Sequence, residues 1–147
     1  MKASELRIGN WVGYTFEHHS NPTHLQVIGI ECFDGCLNVR LDSGISTNLP
    51  EPIQLTEEWL VRCGFEGTEQ DMWVVLPNGD GSELHIEKEL MSNDMNILFT
   101  RGDSSKVPGK DFDYVYAGVI RFVHQLQNLY FALTGKELTL NPEPAKT

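Results

Sequence analysis

Basic side chains are scarce in this chain: 11 Lys and Arg stand against 21 Asp and Glu in 147 residues, a net charge of −10. Nucleic-acid binding draws much of its affinity from Lys and Arg displacing phosphate counterions, so no direct contact with DNA or RNA is expected. Long apolar runs are missing too. Stretches such as Trp73-Val74-Val75-Leu76 fall far short of the roughly 20 residues of a membrane helix, and no span is predicted. The opening Met1–Leu6 carries one Lys and no apolar core ahead of Gly9-Asn10, which predicts no signal peptide and a cytoplasmic location. Cysteine is sparse and odd in number: Cys32, Cys36 and Cys63 read as free thiols in a reducing compartment.

Catalytic motifs are absent as well. There is no Gly-x-Ser-x-Gly elbow, phosphate loop, dinucleotide fingerprint or His-Glu-x-x-His helix. No catalytic residue, metal-ligand set or cofactor is assigned, and an enzyme would need a site without a recognisable motif.

What is present is an ordinary globular mix, 40% hydrophobic and 22% charged, enough for a single α+β domain over residues 1–140 followed by a loose tail at 141–147. Gly, Pro, Asn and Asp punctuate the first two-thirds at intervals of about 10 residues, the spacing of short antiparallel strands. Trp11 to Phe16 and His24 to Phe33 read as strands, and Asp34-Gly35 as a two-residue hairpin turn placing Phe33 opposite Cys36. In that register Ile28, Ile30 and Cys32 share a face with Leu37, Val39 and Leu41, so Cys32 is expected toward the core and Cys36 away from it, with no crosslink. A strand over Ile45 to Leu49 ends at Pro50 and Pro52.

Thr56 followed by Glu57 and Glu58 is a helix N-cap, with Leu55 and Leu60 as a hydrophobic staple and Gly64 as the stop after Cys63. A second hairpin, Met72 to Leu76 and Glu83 to Leu90, leads to a strand at Met95 to Thr100. Arg101 to Asp111 reads as a mobile loop, and Phe112 to Phe122 as a last strand bent at Gly118. Val123, Leu126, Leu129, Tyr130 and Leu133 form the apolar stripe of a terminal helix closed by Gly135. The expected fold is α+β: a bent antiparallel sheet or small SH3-like barrel, a short middle helix, further strands, and a C-terminal amphipathic helix on the sheet.

Three blocks carry a resemblance: Ser4 to Val12, Leu49 to Phe65 (LPEPIQLTEEWLVRCGF) and Val123 to Leu140 (VHQLQNLYFALTGKELTL). They resemble a family of small uncharacterised proteins of phages, prophages and other mobile elements of Bacteroidota. The opening block also resembles the first strand of SH3-like small barrels. The resemblance implies a mobile-element origin inside a bacterial host and transfers no functional residue.

The polar clusters fit ordinary solvation or local capping. His18, His19 and His24 share a loop but lack a fourth strong ligand and helical spacing, so a solvated loop is expected rather than a zinc or nickel site. Asp103, Asp111 and Asp113 lack the spacing of a calcium loop. His124, at the helix start beside Gln125, Gln127 and Asn128, is expected to serve the core or cap local backbone groups, the alternative being a hydrogen bond from this polar face to a ligand or a neighbouring strand. Aromatics, by contrast, exceed what a small core needs: Trp11, Tyr14, Phe16, Trp73, Tyr114 and Tyr116.

A site is therefore expected between the middle and closing blocks, at Trp73, His85, Arg101, Tyr114 and Tyr116, where Arg101 offers an anion contact and function can sit on loops held by a scaffold. The expected role is a non-enzymatic accessory protein binding a host protein, one version being an acidic decoy with its carboxylates on one face. An oligomeric small-molecule binder is the alternative and an enzyme the third. Exposed sheet edges also allow a homo-oligomer.

Overall fold

The computed structural model describes residues 1–68, 70–89, 92, 94–100 and 114–141, with Tyr114 described by its backbone alone. The loop expected at Arg101 to Asp111, Asp113 and the tail beyond residue 141 lie outside the described residues. The fold is α+β. Contacts along the chain define two units, Met1–Gln54 with Phe122–Tyr130, and Leu55–Arg121 with Phe131–Thr147.

The first unit opens with a 3-10 turn at Ala3–Glu5 that the sequence pattern did not announce. A curled antiparallel sheet follows, with β1 (Trp11–Tyr14), β2 (Thr23–Phe33), β3 (Cys36–Leu41) and β4 (Ser46–Thr47) in spatial order. The long β2 pairs with β1 through its first half and with β3 through its second, which is how one sheet comes to curl. Glu51 then closes on the free edge of β1, exchanging backbone hydrogen bonds with Gly13 at 2.8 and 2.9 Å. Val12, Val27, Val39 and Leu41 pack with Ala3 and Leu6 as the core of this unit.

The β2–β3 turn has the expected form. Asp34 and Gly35 both take positive φ, 49° and 75°, as a two-residue turn with matching twist requires, and Phe33 faces Cys36. The face assignment needs correction. An irregularity between Val27 and Gly29 puts Val27 opposite Leu41, and Val27, not Ile28, supplies the core contact. Beyond it the hairpin runs past the core, leaving Ile28, Ile30, Cys32, Phe33, Cys36 and Leu37 exposed. Cys32 is a free surface thiol. β4 is also shorter than Ile45 to Leu49, and Leu49 is exposed.

The terminal helix α2 (Val123–Thr134) packs on this sheet through its first turns. Its buried stripe is Val123, Leu126, Gln127 and Tyr130, with His124 beside it, whereas Leu129 is half-buried and Leu133 exposed. The expected stripe was thus displaced toward Gln127, because that side chain answers a backbone need. Its Oε1 accepts from Trp11 N at 2.9 Å and its Nε2 donates to the Gly9 carbonyl at 3.1 Å, so the amide is paired at both ends inside the protein. Asn128 extends the network, its Oδ1 accepting from Asn10 Nδ2 at 3.0 Å and its Nδ2 donating to the Glu5 carbonyl at 3.0 Å. The polar face of α2 thus hydrogen-bonds the segment that leads into β1, where capping of local groups was expected.

His124 is the exception in the network. It is buried, stacked on Phe122 with ring centroids 5.8 Å apart, and its Nδ1 has no hydrogen-bond partner among the described residues. Burial holds its pKa below the usual imidazole value, with Glu5 opposing and the N-terminal ammonium reinforcing the shift. The folded state therefore binds this proton less readily than the unfolded chain. The stability contributed by neutral His124 is complete above the unfolded value near 6.5 and is lost as pH falls from there toward the lower folded value. Chemical denaturation between pH 8 and 5 should show that loss, and His124→Leu should remove this component of it. An equal slope in the variant would assign the loss to other groups.

In the second unit, α1 (Glu57–Arg62) has the predicted caps. Thr56 Oγ1 accepts from Trp59 N at 3.4 Å. Phe65 N donates to the Leu60 carbonyl at 3.0 Å and Gly64 N to the Val61 carbonyl at 2.9 Å, the paired bonds of a Schellman stop. Cys63, just before that stop, is buried, and burial pushes its thiol up to about 12, which leaves it little nucleophilic thiolate. The second sheet is a five-stranded antiparallel meander of β5 (Glu66–Gly67), β6 (Asp71–Val75), β7 (Glu83–Lys88), β8 (Met95–Thr100) and β9 (Tyr114–Ile120). Its inner face buries Met72, Leu84, Ile86 and Ile97. The bend expected at Gly118 is present as a register shift across β8 and β9, with Ile97 facing Gly118 and Leu98 facing Tyr116.

Candidate functional site

Strand alternation sends every second residue of β6, β7, β8 and β9 to the outer face of the second sheet, and the register aligns them in rows. One row runs Glu66, Trp73, His85, Leu98, Tyr116 across all five strands. Three of the residues expected at a site, Trp73, His85 and Tyr116, thus share one row, with Leu98 between the last two. Tyr114 faces Thr100, two residues from Tyr116 along the same strand, which gives it the same side by backbone position. Arg101 lies outside the described residues.

His85 sits in the middle of this row and is only 7% exposed. Its ring stacks on Trp73, with centroids 6.2 Å apart and planes 25° from parallel. Nδ1 lies 3.3 Å from Asp71 Oδ1 and Nε2 lies 3.0 Å from Glu83 Oε2. Both ring nitrogens therefore face a carboxylate, one from β6 and one from β7. Held in that way, His85 has a structural part to play. It ties β6 to β7 and fixes the Trp73 ring against the sheet.

Gly67 completes the support of Trp73. Its φ is 137°, and a Cβ there would fall on the Asp71 carbonyl oxygen and 2.9 Å from the Trp73 ring. Trp73 lies where it does because residue 67 has no side chain.

Asp71, Glu83 and Glu87 stand beside the row and Glu66 at its start, all on the outer side by register. Tyr116, at the far end, is 60% exposed, and Val75 and Val119 on the same face are exposed as well. The result is an aromatic and apolar strip bordered by carboxylates. Its chemistry suits cationic side chains, which gain from both the carboxylates and the faces of Trp73 and Tyr116.

The first unit has a second feature of similar character, which the sequence reading did not treat as a site. Tyr14, Phe16, Glu17, His18 and His19 line an open cavity of about 460 Å³. Tyr14 and Phe16 meet at 87° with centroids 5.1 Å apart, and Phe16 and His19 lie 5.7 Å apart. The clue in the sequence was the alternation of aromatic residues into the His18-His19 loop. Among the described residues no group of three or more His, Cys, Asp or Glu converges as a metal site. No helix among them is long and apolar enough to cross a membrane.

Compared with protein-family models, with curated proteins and with solved structures, the chain has no match.

Proposed function

We propose that the protein is a non-enzymatic accessory protein of a phage or mobile element that binds a host protein, and that it does so through the outer face of the second sheet. The observation that carries this reading is the cross-strand row Trp73–His85–Leu98–Tyr116 with Asp71, Glu83 and Glu87 around it. Tyr and Trp anchor protein interfaces, and the carboxylates select a partner surface rich in Lys and Arg. The acidic-decoy version fits the same face, since a basic nucleic-acid-binding surface of a host protein has that chemistry.

A second reading, an oligomeric small-molecule binder, is favoured by the Tyr14–Phe16–His19 cavity with Glu17 at its wall, which suits an organic cation. Both are tested together. The wild type and the variants Tyr116→Ala and Glu87→Lys, each checked by circular dichroism, are titrated with a Lys/Arg-rich peptide and, separately, with choline. The first reading expects peptide binding that weakens with added salt and falls about tenfold in either variant. Choline binding insensitive to both variants but lost in Phe16→Ala would favour the second reading. Peptide affinity equal in all three proteins would remove the site from this face.

A further inference from the structure

The arm formed by β2 and β3 has an open edge. β1 covers β2 from Thr23 to Gln26, and Gly9 and Asn10 extend that cover to Val27 with backbone hydrogen bonds of 2.8 Å. Among the described residues, only β3 pairs with β2 from Ile28 to Phe33. The two-residue turn makes Phe33 and Cys36 a hydrogen-bonded pair, so Glu31 with Asn38 and Gly29 with Arg40 are the next such pairs. The backbone groups of Ile30 and Cys32 consequently point out of the open edge. Ile28, Ile30, Phe33 and Leu37 are exposed on the same arm. An apolar, β-branched edge with free backbone groups pairs with another strand of its own kind.

We infer that this edge is a dimer interface, in which β2 pairs antiparallel with β2 of a second copy about a two-fold axis at Ile30. Charge selects this occupant. In that register Glu31 stands opposite the partner's Gly29. The space a side chain would fill at Gly29 is taken by Arg40, whose Nη2 would lie 3.3 Å from a Cβ there. Arg40 also holds Glu31 of its own chain, Nη1 to Oε1, at 3.1 Å. Each Glu31 is thereby set between its own Arg40 and the partner's, and the four charges alternate across the axis. On the other side of the strand Ile30 meets the partner's Ile30. A two-fold interface requires one patch complementary to itself, and this edge meets that requirement in both its apolar and its charged halves. The inference is independent of the second sheet, whose binding face is elsewhere in the chain.

Sedimentation equilibrium over a range of concentrations should show twice the 16.6 kDa chain mass. Ile30→Lys should be monomeric with an unchanged circular dichroism spectrum, because residue 30 is already 37% exposed within one chain. Glu31→Arg and Arg40→Glu should each weaken association by about tenfold or more, and the double variant should recover it. In a chain with Cys32→Ser and Cys36→Ser, Ile30→Cys should oxidise to a covalent dimer, since a hydrogen-bonded antiparallel pair brings Cα atoms to about 5.5 Å, within disulfide reach. A wild type that stays at one chain mass at every concentration overturns the proposal. So does a dimer indifferent to Ile30→Lys, or one that fails to crosslink through residue 30.

Discussion

Replacing Leu126 with Ala is expected to lower the unfolding free energy by about 2–5 kcal/mol, the range for deleting a buried leucine side chain in a packed core. Leu126 is fully buried on the face of α2 that meets the first sheet, between Val123 and Tyr130 on the same stripe. The removed methyl groups have nowhere to be replaced from, since Gln127 beside them is pinned to Trp11 and Gly9. Leu133→Ala, one turn past Tyr130 at a position 36% exposed, should by comparison cost at most about 1 kcal/mol. Urea denaturation of the two variants distinguishes this packing from the stripe drawn by hydrophobic spacing alone. Equal losses would restore the spacing-based stripe.

The second large effect belongs to the candidate site. Gly67→Ala should destabilise the protein by about 2–5 kcal/mol, combining backbone strain at a strongly positive φ with overpacking. The new methyl group would meet a backbone carbonyl, that of Asp71, which cannot swing aside as a flexible side chain would. It would also press on Trp73, so whatever structure remains should show a changed tryptophan emission. Because Asp71 and Trp73 both contact His85, partner binding should fall further than in Tyr116→Ala. A stable variant with unchanged emission would mean that β5 and β6 can separate at no cost, and that Gly67 does not position Trp73.

The candidate site was partly legible in the sequence. Trp73, His85 and Tyr116 could be picked out as aromatic and polar residues on strands beside a Gly-rich segment, and they do fall on one face. Asp71 and Glu83 could not be singled out, because which carboxylate meets which ring nitrogen depends on the register of β6 against β7. That register is set across the 76–82 connection, seven residues long in sequence, where a slip of one position would turn every side chain to the opposite face. The aromatic cavity of the first unit escaped for a similar reason: only the folding-back of the loop after β1 brings Phe16 and His19 together.

By itself the sequence determined the features that depend on a few consecutive residues. The Asp34-Gly35 turn, the Thr56 cap and the Gly64 stop are fixed by backbone φ preferences and by hydrogen bonds spanning at most five residues, so no distant partner can alter them. It also determined the α+β class, because strand-length and helix-length periodicities are local too. Tertiary structure alone decided which alternating residues were covered. Ile30 and Cys32 carry the same pattern as Val39 and Leu41, yet the arm outruns the core that would cover them. Gln127 is polar like a surface residue and is buried because the backbone at Gly9 and Trp11, leading into β1, presents an acceptor and a donor to it. Burial depends on what another part of the chain brings to a position, and that is set by contacts more than 100 residues apart in sequence, such as Gln127 with Trp11.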